Sequence, residues 1–170
     1  MDKIRKRYND ILSLLSKKLE ARYVAARLTP TEKTDVLTVK LPKDLNGKEI
    51  FADIFFIPAE AEEEAVSLFT IRAEVADLSG VKAEEFVGFF LRIAEVNDTL
   101  PLGGYGVSAE EGEPKLKTLM YRVSVPATPT LDEERMAELV DSTLTMTANI
   151  IYATVPEVLE GETRGTITSE

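Results

Sequence analysis

The fold of this chain is decided by the stretch Glu49-Ile50-Phe51-Ala52-Asp53-Ile54-Phe55-Phe56-Ile57. It is rich in β-branched and aromatic residues, which favour a β-strand. Side chains alternate between the two faces of a strand. One face would then carry Ile50, Ala52, Ile54 and Phe56, and the other would carry Phe51, Asp53, Phe55 and Ile57. The stretch therefore predicts a central strand that is apolar on both faces.

Two further apolar stretches flank this strand and predict its neighbours in a sheet. The first is Thr34–Leu41, and the turn signal Asn46-Gly47 separates it from the central strand. The second is Val66–Val75, which follows an acidic connection and aligns Phe69, Ile71, Ala73 and Val75 on one side. Together the three stretches are typical of an antiparallel meander.

Apolar residues spaced three and four apart predict a helix on each side of this meander. The first helix covers about Lys3–Arg27 and ends before Thr29-Pro30, because the residue preceding a proline is disfavoured in helical conformation. The second helix covers about Lys82–Asn97. Two more strands follow, a short one through Tyr105 and Val107 and a longer one over Lys115–Val125.

A third helix is predicted from the capping pair Thr130 and Glu133, in which each side chain satisfies a free backbone N–H. Pro156 should kink or end this helix near Tyr152–Val155. The predicted order is α-β-β-β-α-β-β-α, an α+β fold with a five-stranded antiparallel sheet in two layers and helices packed mainly on one face. We expect a single domain over residues 1–160 and a flexible polar tail over 161–170.

The composition removes many chemistries. The chain of 170 residues contains no cysteine and no histidine. Disulfides, thiolate nucleophiles, imidazole bases and zinc sites of the usual kind are therefore excluded. No apolar run approaches the length that a membrane span requires, and no signal peptide is evident. We expect a cytoplasmic protein that is not an enzyme and needs no cofactor.

Charge is unevenly distributed along the chain. The formal net charge is −10, yet residues 1–28 carry eight cations and three anions. The remaining chain is strongly acidic and would repel a phosphate backbone, which argues against nucleic acid as the main ligand. The basic first helix is either a solvated surface or a docking site for acidic surfaces.

The second half of the chain resembles the YbjN-type domains, labelled candidate bacterial sensory transduction regulators, within the type III secretion chaperone-like superfamily. The resemblance is carried by Val96-Asn97, Leu102-Gly103-Gly104-Tyr105, the strand end Tyr121-Arg122-Val123-Ser124-Val125-Pro126, and a long helix with Asn149, Ile150 and Tyr152 ahead of Pro156. It implies a homodimer that engages an extended segment of another protein. It implies no catalytic, cofactor-binding or metal-binding residue.

The candidate binding or dimer surface is the second face of the central meander. Its residues are Phe51, Phe55, Ile57, Val66 and Leu68. An exposed apolar face usually marks an interface, and an unpaired sheet edge can also accept an added strand. The alternative is that helices or loops cover both faces.

Two further hypotheses concern aromatic residues. The stripe Phe86, Phe89 and Phe90 is either core under the sheet or a dimer seam. A small-molecule-sensing domain is the alternative function, with a pocket between sheet and helices lined by Phe55, Phe86 or Tyr105.

Other polar motifs have ordinary structural explanations. The acidic clusters Glu60–Glu64 and Glu110–Glu113 lack the ligand spacing of a calcium loop and indicate solvated connections. The stretch Leu102–Gly106 lacks the Gly-Lys-Ser/Thr ending of a phosphate loop, and its glycines indicate a sharp turn or a close approach to a helix. Asp53 is a lone carboxylate, which is a weak candidate for a catalytic acid.

Overall fold

The computed structural model of the chain describes residues 2–22, 24–31, 34–41, 49–57, 67–109 and 115–160. The predicted turn at Asn46-Gly47, both acidic clusters and the tail lie outside these residues. The elements are α1 (Asp2–Ala21), β1 (Ala26–Thr29), β2 (Val36–Lys40), β3 (Phe51–Ile57), β4 (Ser67–Asp77), a 3-10 helix (Ala83–Glu85), α2 (Phe86–Thr99), β5 (Gly104–Ala109), β6 (Leu116–Ala127) and α3 (Glu133–Glu160).

The strands form one antiparallel sheet in the order β1-β2-β3-β4-β6-β5. The predicted central stretch is β3, which pairs with β2 on one side and β4 on the other. The long strands β4 and β6 pair over most of their length, with a register shift between Glu74 and Ala76. The outermost strands are β1 and β5, so each presents an edge.

One face of the sheet is buried under the helices. Tyr8 of α1 stacks on Phe56 of β3, with ring centroids 3.5 Å apart, and meets Phe69 of β4 edge-on. Most of the buried apolar residues of the strands and of the three α-helices belong to a single apolar cluster. Members from the sheet include Leu37, Val39, Ile54, Ile71, Leu119 and Val123. This face is the core of the domain.

The helices form a layer in which α3 lies between the other two. On one side, Lys18 of α1 pairs with Glu138 of α3 at 3.2 Å. On the other side, Arg92 Nε of α2 donates to the carbonyl oxygen of Val158 at 3.2 Å. The helices α1 and α2 are therefore the two outer helices of this layer, and the outer side of α2 has no helix beside it in the described part of the chain.

The sheet has six strands rather than the five predicted, because the first helix is shorter than its apolar spacing suggested. It ends at Ala21, where the carbonyl oxygen of Leu19 accepts from the N–H groups of Arg22 and Val24. Residues 26–29 then form β1, which pairs with β2. Alanine, arginine and leucine are good helix formers, so local preference is overridden here by pairing with a distant strand. The α+β class and the antiparallel sheet are confirmed.

The third helix also differs from the prediction at both ends. Its N-cap is Asp132, whose Oδ1 accepts from the backbone N–H of Arg135 at 2.8 Å, and Thr130 does not serve as the cap. The helix does not end before Pro156 but continues to Glu160. Pro156 removes one backbone hydrogen bond. The last turn is nevertheless held in place, because Val158 is fully buried in the core.

Candidate functional site

The sheet face opposite the helices, which we call the open face, carries four of the five predicted site residues. In β3, Phe51, Phe55 and Ile57 all point to it, since they alternate with buried neighbours. Leu68 of β4 lies directly opposite Ile57 and points the same way. Phe51 is 47% exposed, and the other three are half-buried. The fifth residue, Val66, lies outside the described residues.

Three apolar residues of the open face were not predicted, among them Met120 of β6, which lies opposite Glu74. Val36 of β2 lies opposite Phe55, and Pro126 of β6 lies opposite Leu68. Their participation depends on strand register, which residue alternation within a single strand does not reveal. The apolar part of the open face therefore spans β2, β3, β4 and β6.

A row of polar side chains crosses the middle of the open face. Register places Thr38, Asp53, Arg72, Arg122 and Gly104 side by side on five successive strands. Thr38 Oγ1 donates to Asp53 Oδ1 at 2.8 Å, and Arg72 donates to Asp53 Oδ2 at 3.1 Å. Asp53 thus anchors a polar network on the open face, and no second carboxylate lies in its row among the described strands.

An open groove of about 660 Å³ lies over β5 and β6 beside this row. Its floor includes Gly104 and Gly106, and the side chains around it include Leu102, Met120 and Arg122. A Cβ atom added at Gly106 would meet no atom within 4 Å. Gly106 therefore leaves the floor of the groove open, whereas a Cβ atom at Gly104 would lie 3.3 Å from Asn97 Oδ1 of α2.

Gly103 makes the chain turn into β5. Its φ is +70°, a conformation that glycine adopts readily. A Cβ atom at this position would lie 2.7 Å from the carbonyl oxygen of Arg122. The predicted sharp turn is confirmed at Gly103, where the close contact is with β6, and the predicted close approach to a helix occurs at Gly104, next to Asn97 of α2.

The edge of β5 is partly capped by α2. Asn97 accepts from the backbone N–H of Tyr105 at 2.7 Å and donates to its carbonyl oxygen at 3.0 Å. These are backbone groups that an added strand would otherwise use. Strand addition at this point of β5 is therefore blocked, which favours the open face over this edge as the binding surface.

Two tyrosines on the helix side are buried hydrogen-bonding groups. Burial raises the pKa of Tyr105 to about 12, and its hydroxyl lies 2.8 Å from Thr154 Oγ1. Burial also raises the pKa of Tyr121, whose hydroxyl donates to the carbonyl oxygen of Leu102. Both phenols stay neutral near pH 7, so neither supplies a phenolate nucleophile or base.

The residues suggested for a small-molecule pocket do not come together. Phe55 points to the open face, whereas Tyr105 is buried on the helix side and Phe86 packs against the core. The sheet separates Phe55 from the other two.

Among the described residues, no cluster of acidic side chains is arranged to hold a metal ion. No helix in this part of the chain is long and apolar enough to cross a membrane.

The aromatic stripe of α2 divides between core and surface. Phe89 is buried and Phe86 packs against the core, as the core interpretation predicted. Phe90 is 43% exposed. Its neighbours Val87 and Leu91, which were not predicted as surface residues, are 72% and 59% exposed. A second apolar stripe therefore runs along the outer side of α2.

Comparison with known proteins shows a structural neighbour among the solved structures. No protein-family model matches the chain, and no curated protein matches it. Among solved structures, the chain is similar to YbjN from E. coli, a candidate transcription regulator. The two share 13% identity over 86% of this chain and 92% of that chain, with a TM-score of 0.46. The name of this neighbour, YbjN, is the family name that the sequence resemblance suggested.

Proposed function

We propose that the protein is a non-enzymatic binding module, of the chaperone or adaptor kind, that holds an extended segment of another protein on its open face. The observation that carries the proposal is the apolar surface formed by Phe55, Ile57 and Leu68 on the face of the sheet that no described helix covers, with Phe51 on the same face beyond the polar row. Contiguous apolar surface on a folded domain usually marks an interaction site. We place this activity in the cytoplasm and expect no nucleic-acid partner, since the chain is strongly acidic.

An extended segment suits this surface by its spacing. Along a strand, residues two positions apart point the same way and lie roughly 6.6–6.8 Å apart. An extended partner lying along the strands has the same repeat. Every second partner side chain would then meet one row of the open face, such as the row of Phe55 or the row of Phe51.

The proposal is tested by capture of partners from a cell lysate with a matched pair of variants. Phe51→Glu alters the open face, and Met146→Glu alters the helix layer at a residue that is equally exposed, 48% against 47%. Covering an exposed phenylalanine contributes on the order of 1 kcal/mol, and burying a carboxylate there costs more. We expect Phe51→Glu to capture about tenfold less partner protein than wild type. Met146→Glu should capture the same amount as wild type.

Two results would contradict the proposal. One is equal capture by wild type and Phe51→Glu, and the other is loss of capture by Met146→Glu alone. Circular dichroism of both variants checks that the fold is unchanged.

We also propose a homodimer formed through α2. Val87, Phe90 and Leu91 form an apolar stripe on the outer side of this helix, where no other described element covers it. A two-fold dimer brings the same patch of both subunits together, so the stripe would be buried against its own copy.

Sedimentation at micromolar concentration tests the dimer. Wild type and Met146→Glu should sediment as dimers, and Leu91→Glu as a monomer, because a carboxylate in an apolar seam is strongly unfavourable. A monomeric wild-type protein, or a Leu91→Glu variant that remains dimeric, would rule out this interface.

A further inference from the structure

The polar row on the open face contains two arginines in direct opposition. Arg72 of β4 and Arg122 of β6 are register partners. Side chains in such positions have Cβ atoms about 4.5–5.5 Å apart, and like charges there repel each other. Asp53 lies on β3, which borders β4 on the side away from β6. Its carboxylate therefore pairs with Arg72 from the side away from β6, and Arg122 forms no ion pair with any of the described residues.

Both arginines have hydrogen-bond donors that are not used. Arg72 Nε is buried and has no acceptor, although another nitrogen of the same guanidinium bonds to Asp53. Arg122 has no side-chain partner among the described residues. Glu74, in the next row, forms no ion pair with either arginine in that part of the chain. A guanidinium carries five N–H donors, so an acceptor from outside the chain can be accommodated.

A ligand can reach this pair through the groove over β5. Gly104 lies beside Arg122 in the row and has no side chain to shield it. Arg72 and Arg122 both line the groove, together with the apolar side chains of Leu102 and Met120. The site therefore offers two cations at the side of an open, partly apolar channel.

The local charge is opposite to that of the whole molecule. The row that begins with Arg27 on β1 contains three arginines and one aspartate, whereas the chain as a whole has a net charge of −10. The excess of positive charge in this row favours an anion at this part of the open face. The planar fork of a guanidinium matches a carboxylate group.

We propose that Arg122 and Arg72 bind a side-chain carboxylate of the extended partner segment, an inference that rests on the proposed function. The neighbouring rows define the rest of the motif. Phe55 lies with Thr70 and Ser124 in the row on one side of the arginines, and Phe51 lies with Glu74 and Met120 in the row on the other. A segment along the strands therefore fits best when an acidic residue has an apolar residue two positions before it and two positions after it.

NMR titration with a short peptide tests this inference. The probe is acetyl-Leu-Ser-Glu-Ser-Leu amide, and its counterpart has glutamine in place of glutamate. We expect the glutamate peptide to shift the Nε–H signals of Arg72 and Arg122, and the glutamine peptide to bind about tenfold more weakly. Arg122→Gln should lower the affinity for the glutamate peptide by a similar factor. Arg135→Gln, the same charge change on α3, should leave its affinity unchanged.

Inorganic phosphate and citrate form a second arm of the experiment. If they shift the two arginine signals and the peptide does not, the site serves free oxyanions and the proposed occupant is wrong. Equal affinity of the two peptides, or of wild type and Arg122→Gln, also overturns the inference. If Arg122→Gln still captures the lysate partner that Phe51→Glu loses, the open face remains the binding surface and only the carboxylate site is refuted.

Discussion

Replacing Phe69 with alanine is expected to lower the free energy of unfolding by about 3–5 kcal/mol, the usual cost of deleting a buried aromatic side chain. Phe69 is fully buried and contacts Tyr8 and Phe56, with ring centroids 5.5 and 5.6 Å away. These three rings join α1 to the centre of the sheet. The cavity would therefore weaken the contact between the helix layer and the strands. Urea denaturation followed by circular dichroism measures the effect.

Phe51→Ala is the matched control, because it removes the same side chain from the open face of the same sheet. Phe51 is largely exposed, so the expected loss is below about 1 kcal/mol. If the two substitutions were equally destabilising, the assignment of one buried and one open face would be wrong.

Gly103→Ala is expected to cost about 2–4 kcal/mol, for two reasons that add. An L-residue with φ near +70° is strained. The new methyl group would also lie 2.7 Å from the backbone oxygen of Arg122 and 2.8 Å from the hydroxyl of Tyr121. The hydrogen bond from Tyr121 to Leu102 would be disturbed as well. Thermal and urea unfolding both report this loss.

Gly106→Ala should raise the free energy of unfolding, whereas Gly103→Ala should lower it. The Cβ atom added at Gly106 meets nothing within 4 Å, and the φ of Gly106 is not positive. Alanine restricts the unfolded chain more than glycine does, so stability should rise by about 0.4–1 kcal/mol. Equal effects at Gly103 and Gly106 would contradict the described path of the chain into β5.

Much of the fold was predictable because its signals are local. The alternation in Phe51–Ile57 and the apolar spacing in α2 are visible within a few residues. The sixth strand was missed because three of the four residues of β1 have helical preference and are held in the strand by pairing with β2. The end of α3 was missed because burial of Val158 outweighs the break at Pro156.

The candidate site was predictable only where one strand or helix defines it. Alternation placed Phe51, Phe55 and Ile57 on one face, and the same reasoning applied to Leu68. The arginine row was not predictable, since Asp53, Arg72 and Arg122 become neighbours only through the register of three strands. The stripe on α2 was overlooked because one helix carries two apolar sides, one buried and one exposed.

Site-specific photo-crosslinking tests the central claim most directly, because it reports which face touches a partner. A benzophenone amino acid would replace Phe51 on the open face in one variant and Met146 in the helix layer in another. Irradiation in the cell should yield a covalent adduct with a second polypeptide from position 51 and none from position 146. Adducts from position 146 alone would contradict an open face that holds another protein.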